Sequence, residues 1–291
     1  MRIGTRGSAL ALAQARWVAD RLGTDTEIVT ITTSGDRGVQ VGDKSRWVSE
    51  LERALLEERI DVAVHSAKDV PTQLPDGLEL VAIPQRADPR DAICGAASLA
   101  QLTPGARIGT SSLRRVAQIR AVRDDVEVLS VRGNVDTRLR KLSEGQFDAI
   151  VLALAGLERL GRDDEAGGPL EELVPASGQG ALAIEGRAGA VPADLLAPVS
   201  DAEATACVIA ERELVGALDA SCNTPVGAHA RLLGDGGLEL VAWVGLPDGS
   251  EWISDSQTGG AGGLGQAVAR RLLSAGAGEL LRRAEREASV V

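Results

Sequence analysis

The stretch RIGTSSLRRVAQIRAVRDDVEVLSVRGNVDTRLRKLSEGQFDAIVLA, residues 107–153, decides the fold class. Around and within it, strand-like runs at 106–110, 126–131 and 147–153 alternate with helix-like segments at 112–122 and 134–143. Strands alternating with helices predict α/β units built on parallel strands. The same rhythm extends outward. RIGT (2–5) reads as a strand, and Ser8 is placed to cap a helix through Leu22, with Leu10, Ala13 and Trp17 at helical spacing. Further strands are expected at 27–33, 61–66, 78–84 and 91–95, with helices near 47–58 and 154–160, while the acidic, glycine-rich 161–170 reads as a surface loop. From residue 201 the character changes to a long helix (201–217), a turn-rich segment, two strands around LPDGSE and a helical end. That part reads as a separate small α+β domain.

Composition narrows the function. A chain of 291 residues with 44% hydrophobic content can bury several cores, and a net charge of −11 argues against nucleic acid as partner. No apolar run is long enough to cross a bilayer, and MRIGTRGSAL lacks the features of a secretory leader, so the expected location is cytoplasmic, away from membranes. The cysteines Cys94, Cys207 and Cys222 are odd in number and far apart, which argues against a disulfide framework. With His65 and His229 the only histidines, no metal site is expected.

Three predicted strand ends break into polar segments: HSAKDVP (65–71), GTSSLRR (109–115) and VRGNVDTR (131–138). Ligands of open α/β sheets gather beyond the carboxyl ends of strands, where helix N-termini favour anions. Thr110, Ser111 and Ser112 precede paired Arg114 and Arg115, while Arg132, Gly133 and Arg138 surround a helix start. Arginine binds carboxylates bidentately and stays charged. No phosphate-cradling G-x-x-x-x-G-K-[ST] loop exists, so a polycarboxylate is the better expectation. Arg120, Arg123 and Arg140 read instead as a solvated face paired with nearby acids, and His65 as a structural residue. Lys68 and Asp69 stand together past a strand, where a carboxylate can accept N–H bonds and stabilise a developing cation. Cys222 lies in LDASCNTPVG (218–227), among turn formers rather than core residues, as an exposed and reactive thiol would; Cys94 and Cys207 read as packing residues. At this level an anion-binding protein, a cysteine-nucleophile enzyme and a polycarboxylate-handling enzyme all remain open.

RIGTRGSALALAQA, AVHSAKDVP, DPRDA, GTSSLRR, VRGNVDTRL, AGLERLG, GQGALAIE and SCNTPVGA occur in this order. Together they resemble the porphobilinogen deaminase (hydroxymethylbilane synthase) family. The resemblance implies two periplasmic-binding-protein-like α/β domains with mixed sheets, 1–85 with 181–199 and 86–180, plus a small C-terminal α+β domain, 200–291. It implies a transferase that joins four porphobilinogen molecules head to tail, releasing ammonia, into linear hydroxymethylbilane. It further implies a dipyrromethane cofactor joined through a thioether to Cys222, and Asp69 as catalytic residue. Cofactor contacts carried over by motif are Ser66, Lys68, Thr110, Ser111, Ser112, Arg114, Arg115, Arg132 and Gly133. Substrate contacts are Arg6, Ser8, Lys44, Arg132, Arg138, Arg159 and Gln179. A monomer passing its product to a downstream tetrapyrrole enzyme is also implied. Four positions depart from the usual pattern: Ala67 replaces a larger apolar residue, Gln40 a lysine, Arg46 an apolar residue and Trp47 a phenylalanine.

Overall fold

The computed structural model describes residues 1–35, 47–220, 224–234 and 236–288. In chain order its elements are β1 (Arg2–Thr5), α1 (Ala9–Leu22), β2 (Glu27–Thr30), α2 (Ser49–Leu56), β3 (Val62–Ser66), β4 (Leu78–Ala82), β5 (Asp91–Cys94), β6 (Arg107–Gly109), α3 (Leu113–Val122), β7 (Glu127–Leu129), α4 (Val135–Ser143), β8 (Ala149–Ala153), α5 (Leu154–Arg159), β9 (Gly168–Leu170), β10 (Leu182–Arg187), α6 (Ala193–Leu196), α7 (Ala202–Ala217), β11 (Val226–Leu232), β12 (Leu238–Gly245), β13 (Trp252–Gly259), α8 (Leu264–Ser274) and α9 (Ala277–Ala288).

Local chemistry sets the helix ends. The Ser8 hydroxyl accepts from the Ala11 N–H at 3.3 Å, and Gly23 takes the left-handed conformation that closes α1. Ala11, Ala15, Val18 and Leu22 then form one buried stripe, and the last three join Ile3, Val62, Val64 and Ile184 in one core. Asp201 caps α7 by accepting from Ala204 N–H at 2.7 Å, so the helix itself begins at Ala202.

Two five-stranded sheets carry the lobes, ordered β2-β1-β3-β10-β4 and β7-β6-β8-β5-β9. β1 runs parallel to β2 and β3, and β6 parallel to β7 and β8. Each sheet also takes an antiparallel strand in its fourth place, β10 in the first and β5 in the second. The chain therefore crosses between lobes twice, at 83–90 and 171–181. Four of the five residues of β8 are buried, which explains its unbroken apolar run. The third sheet is antiparallel, β11-β12-β13, and shares a core with α7, α8 and α9.

Four elements depart from the sequence reading, the short helix α6 among them. The expected loop 161–170 contains β9, paired antiparallel to β5. Gly167 and Gly168 serve close approach: a Cβ on the first would sit 1.9 Å from the Ala96 carbonyl oxygen, and one on the second 2.6 Å from that of Ala97. β10 lay inside a motif without being read as a strand. β11 was not read either; its small residues gain their extended form from pairing with β12.

The lobes and the third domain meet at one buried carboxylate. Glu211 of α7 accepts from Arg86 NH1 at 2.6 Å, Gly178 N–H at 2.7 Å and Ala230 N–H at 2.7 Å. Arg86 and Gly178 belong to the two crossing segments, so this one side chain ties both crossings to the third domain.

Candidate active site

The polar segments singled out in the sequence sit at the carboxyl ends of parallel strands, facing the space between the two sheets. After β1 come Arg6 and Ser8. After β3 a 3₁₀ turn, Ala67–Asp69, presents Lys68 and Asp69, both half-buried. Ser66 accepts from the Gln14 side-chain amide at 2.8 Å. This turn lies against the second crossing: a Cβ on Gly178, whose φ is +73°, would sit 2.9 Å from Ala67 Cβ.

After β6, Thr110 is buried and its hydroxyl accepts from Ser112 N–H at 3.3 Å, while the Ser111 hydroxyl donates to the Val131 carbonyl at 2.7 Å. After β7, Arg132 is exposed, Gly133 turns the chain, and Asn134 caps α4 by accepting from Thr137 N–H at 2.9 Å. Arg138 donates to the Gly133 carbonyl at 2.8 Å, and Arg159 of α5 to the Gly180 carbonyl at 2.6 Å.

Two connected features follow from this placement. A cleft of about 1,180 Å³ is lined by Arg6, Ser8, Asp69, Ser111, Ser112 and Arg132, among others. A tighter cavity of about 170 Å³ is lined by Ser66, Lys68, Arg115, Gly133, Arg138 and Arg159, and by no carboxylate among the described residues. Burial, then the Arg115 charge, pulls the Lys68 pKa down to about 8, and the same two causes pull Arg138 down to about 10. Burial lowers Arg159 to about 10 as well, against the opposing pull of Glu158. Cations gathered this closely repel one another, and a multiply charged anion relieves that repulsion.

The arginine pair divides. Arg115 reaches the cavity, whereas Arg114 and Gln179 lie behind it, on Asp91. That carboxylate is fully buried at the start of β5, 2.8 Å from Arg114 NH2, 2.7 Å from Arg115 NH2 and 2.8 Å from the Gln179 amide nitrogen. Asp91, Glu211 and Gln14 were not singled out from sequence. Asp91 had a signal, since an acid opening the apolar run DAIC needs a buried partner. His65 is buried with Nε2 3.0 Å from Glu185, consistent with its structural reading. Arg140 pairs with Glu144 on an exposed face, as its reading has it, whereas Arg123 pairs with Asp125 at 2.6 Å but is mostly buried and also donates to the Leu102 carbonyl at 3.0 Å, and Arg120 donates to the Pro247 carbonyl. Cys94 and Cys207 are buried, and burial pushes the Cys94 thiol up to about 11. Cys222, Lys44, Gln40 and Arg46 lie outside the described residues.

Residues 1–193 match the family model described as porphobilinogen deaminase, dipyrromethane cofactor-binding domain, and residues 205–274 match that of its C-terminal domain. The chain belongs to the porphobilinogen deaminase family. Relatives bearing that name include those of Deinococcus deserti, 48% identical over 88% of this chain and 89% of that one, and Brevibacillus brevis, 45% identical over 98% of each. The protein of Thiobacillus denitrificans is 47% identical over 97% of each. Among solved structures, immunogenic lipoprotein A from Vibrio vulnificus superposes with a TM-score of 0.43 at 14% identity, over 70% of this chain and 96% of that one. That likeness is distant, and the two-lobed α/β architecture stands on the strand order itself. The cofactor named by the family fits the residues present. A dipyrromethane carries acidic side chains, and the cavity offers Lys68, Arg138 and Arg159, with Arg115 paired to Asp91 behind the wall, and no carboxylate in its own lining. Among the described residues, no helix is long and apolar enough to cross a membrane.

Proposed function

We propose that this chain joins four molecules of porphobilinogen head to tail into hydroxymethylbilane, on a dipyrromethane primer held by Cys222, within tetrapyrrole biosynthesis. The observation that carries this reading is the carboxylate-free cavity of Lys68, Arg115, Arg138 and Arg159 opening beside the carboxylate of Asp69. In each addition a carbon–carbon bond forms, the substrate's carbon–nitrogen bond breaks, ammonia leaves and the pyrrole carbon loses a proton; water finally releases the product. The cofactor, when bound, supplies the pyrrole carbon at which growth begins.

The residues of the chain have separate tasks in this reading. Lys68, Arg115, Arg138 and Arg159 hold acetate and propionate groups, turning encounter into orientation. Arg6, Ser8, Ser111, Ser112 and Arg132 line the wider cleft where substrate enters, with Lys44 assigned there by motif. Asp69 accepts hydrogen bonds from pyrrole N–H groups and stabilises the positive charge that develops as ammonia departs. Thr110, Arg114 and Gln179 shape the wall from behind rather than touching ligand. The domain division 1–85 with 181–199, 86–180 and 200–291 belongs to the same reading, supported by the strands each sheet collects. So do a monomeric state, a cytoplasmic location and transfer of the product to a second tetrapyrrole enzyme.

Intact mass tests the proposal. Purified protein is expected to carry a dipyrromethane adduct that gives a pyrrole colour with an aldehyde reagent, and Cys222→Ser to lose both adduct and activity. An unmodified mass on fully active protein overturns the reading.

The same variant exposes the electrostatics of the cavity. In Cys222→Ser protein, acylation of Lys68 followed across pH by peptide mapping is expected to reach half its maximal rate near pH 8. A bound polyanion favours the ammonium and moves that midpoint upward. Folding lowers this pKa from 10.5 to about 8, so the folded chain binds fewer protons than the unfolded one between those values, and stability rises with pH across that window. A midpoint at the ordinary lysine value would remove Lys68 from the buried cavity.

A further inference from the structure

One aromatic ring in the cleft has no task in the reading above. Trp47, just ahead of α2, lies with its ring centroid 4.1 Å from the Arg6 guanidinium carbon. The ring also rests against Gly35, where a Cβ would fall 2.2 Å from its Cε3 atom, so the glycine leaves room for an indole at this place. Arg6, Trp47 and Asp69 line both the wide cleft and a smaller cavity of about 60 Å³ next to His65 and Ser66.

We propose that Trp47 is a positioning residue for Arg6, its ring holding the guanidinium near Asp69 so that an acidic side chain of the incoming pyrrole meets a cation already in place. A guanidinium is attracted to the face of an indole, and one that stacks by its own face still presents its N–H edge to a carboxylate. Arginine carries large rotamer freedom, so restraining it before binding removes part of the entropy lost on binding. This role rests on the proposed function, because it needs an acidic substrate at Arg6.

The test combines kinetics with a signal that needs no turnover. Trp47→Leu is expected to raise KM for porphobilinogen roughly threefold to thirtyfold with kcat within about twofold, and Trp47→Phe to recover most of that loss. Removing the cation with Arg6→Gln is expected to change Trp47 fluorescence. That emission is isolated by subtracting the spectrum of the matching Trp47→Phe protein, which cancels Trp17, Trp243 and Trp252. An unchanged Trp47 emission in Arg6→Gln overturns the contact, whether or not the protein turns over. A Trp47→Leu enzyme with unaltered KM, or one losing kcat alone, overturns the positioning role. Wild-type protein without deaminase activity strikes the functional reading instead, and the positioning role falls with it.

Discussion

Asp69→Asn is expected to lower kcat by about 10²- to 10⁴-fold while KM for porphobilinogen changes little. Asparagine keeps an oxygen that accepts a hydrogen bond at nearly the same place, so ground-state contacts to pyrrole N–H groups persist. What disappears is the negative charge, which matters only as positive charge develops with the departure of ammonia. An interaction made mainly in the transition state appears in kcat rather than in KM. The surroundings sharpen the effect. Lys68 is the neighbouring residue, and Arg6 lines the same cleft, so the region without Asp69 is dominated by cations that disfavour another developing positive charge. Ammonia release measured beside product formation, in protein shown by intact mass to carry its adduct, reads the loss directly. Turnover near that of the unaltered enzyme would remove Asp69 from its assigned role.

Asp91→Ala is expected to destabilise the fold by about 3–5 kcal/mol, seen as a lowered denaturant midpoint, and to raise KM in whatever protein remains folded. Desolvation of this buried carboxyl would raise its pKa, but the charges of Arg114 and Arg115 and the donors of Arg115 and Gln179 outweigh it and hold it well below the usual carboxylate range. The charged form therefore contributes stability above about pH 4, and this is lost as pH falls below the unfolded value towards the folded one. Alanine leaves two guanidiniums in the interior without their counter-ion, and Arg115, no longer held by Nε–H···Oδ1 at 2.9 Å, lines the cavity less firmly. Asp91→Asn keeps an acceptor without the charge and is expected to fall between. An alanine variant within 1 kcal/mol of the unaltered protein would show that the pair is compensated elsewhere.

The amino-acid sequence by itself determined most of the alternation of strands and helices, the cap at Ser8, and the chemistry waiting at each strand end. Those properties are local: period, capping and turn residues act over a few positions, and the motifs that mark the family are short. Tertiary structure alone decided which charges face the cleft. Arg114 and Arg115 are adjacent in one helix and look equivalent on paper, yet one lines the cavity and the other lies behind it. Their shared partner Asp91 is more than twenty residues away, and Gln179, which completes the cluster, lies 88 residues beyond Asp91. The antiparallel strand β10 was hidden for a related reason, since its place beside β3 is set by the chain's return from the second lobe. A residue's neighbours along the chain fix how its backbone runs, but the charge of a site is set by what the fold brings across from elsewhere. Here that is a set of cations with their one deep carboxylate turned to the wall, leaving the cavity itself for an anion.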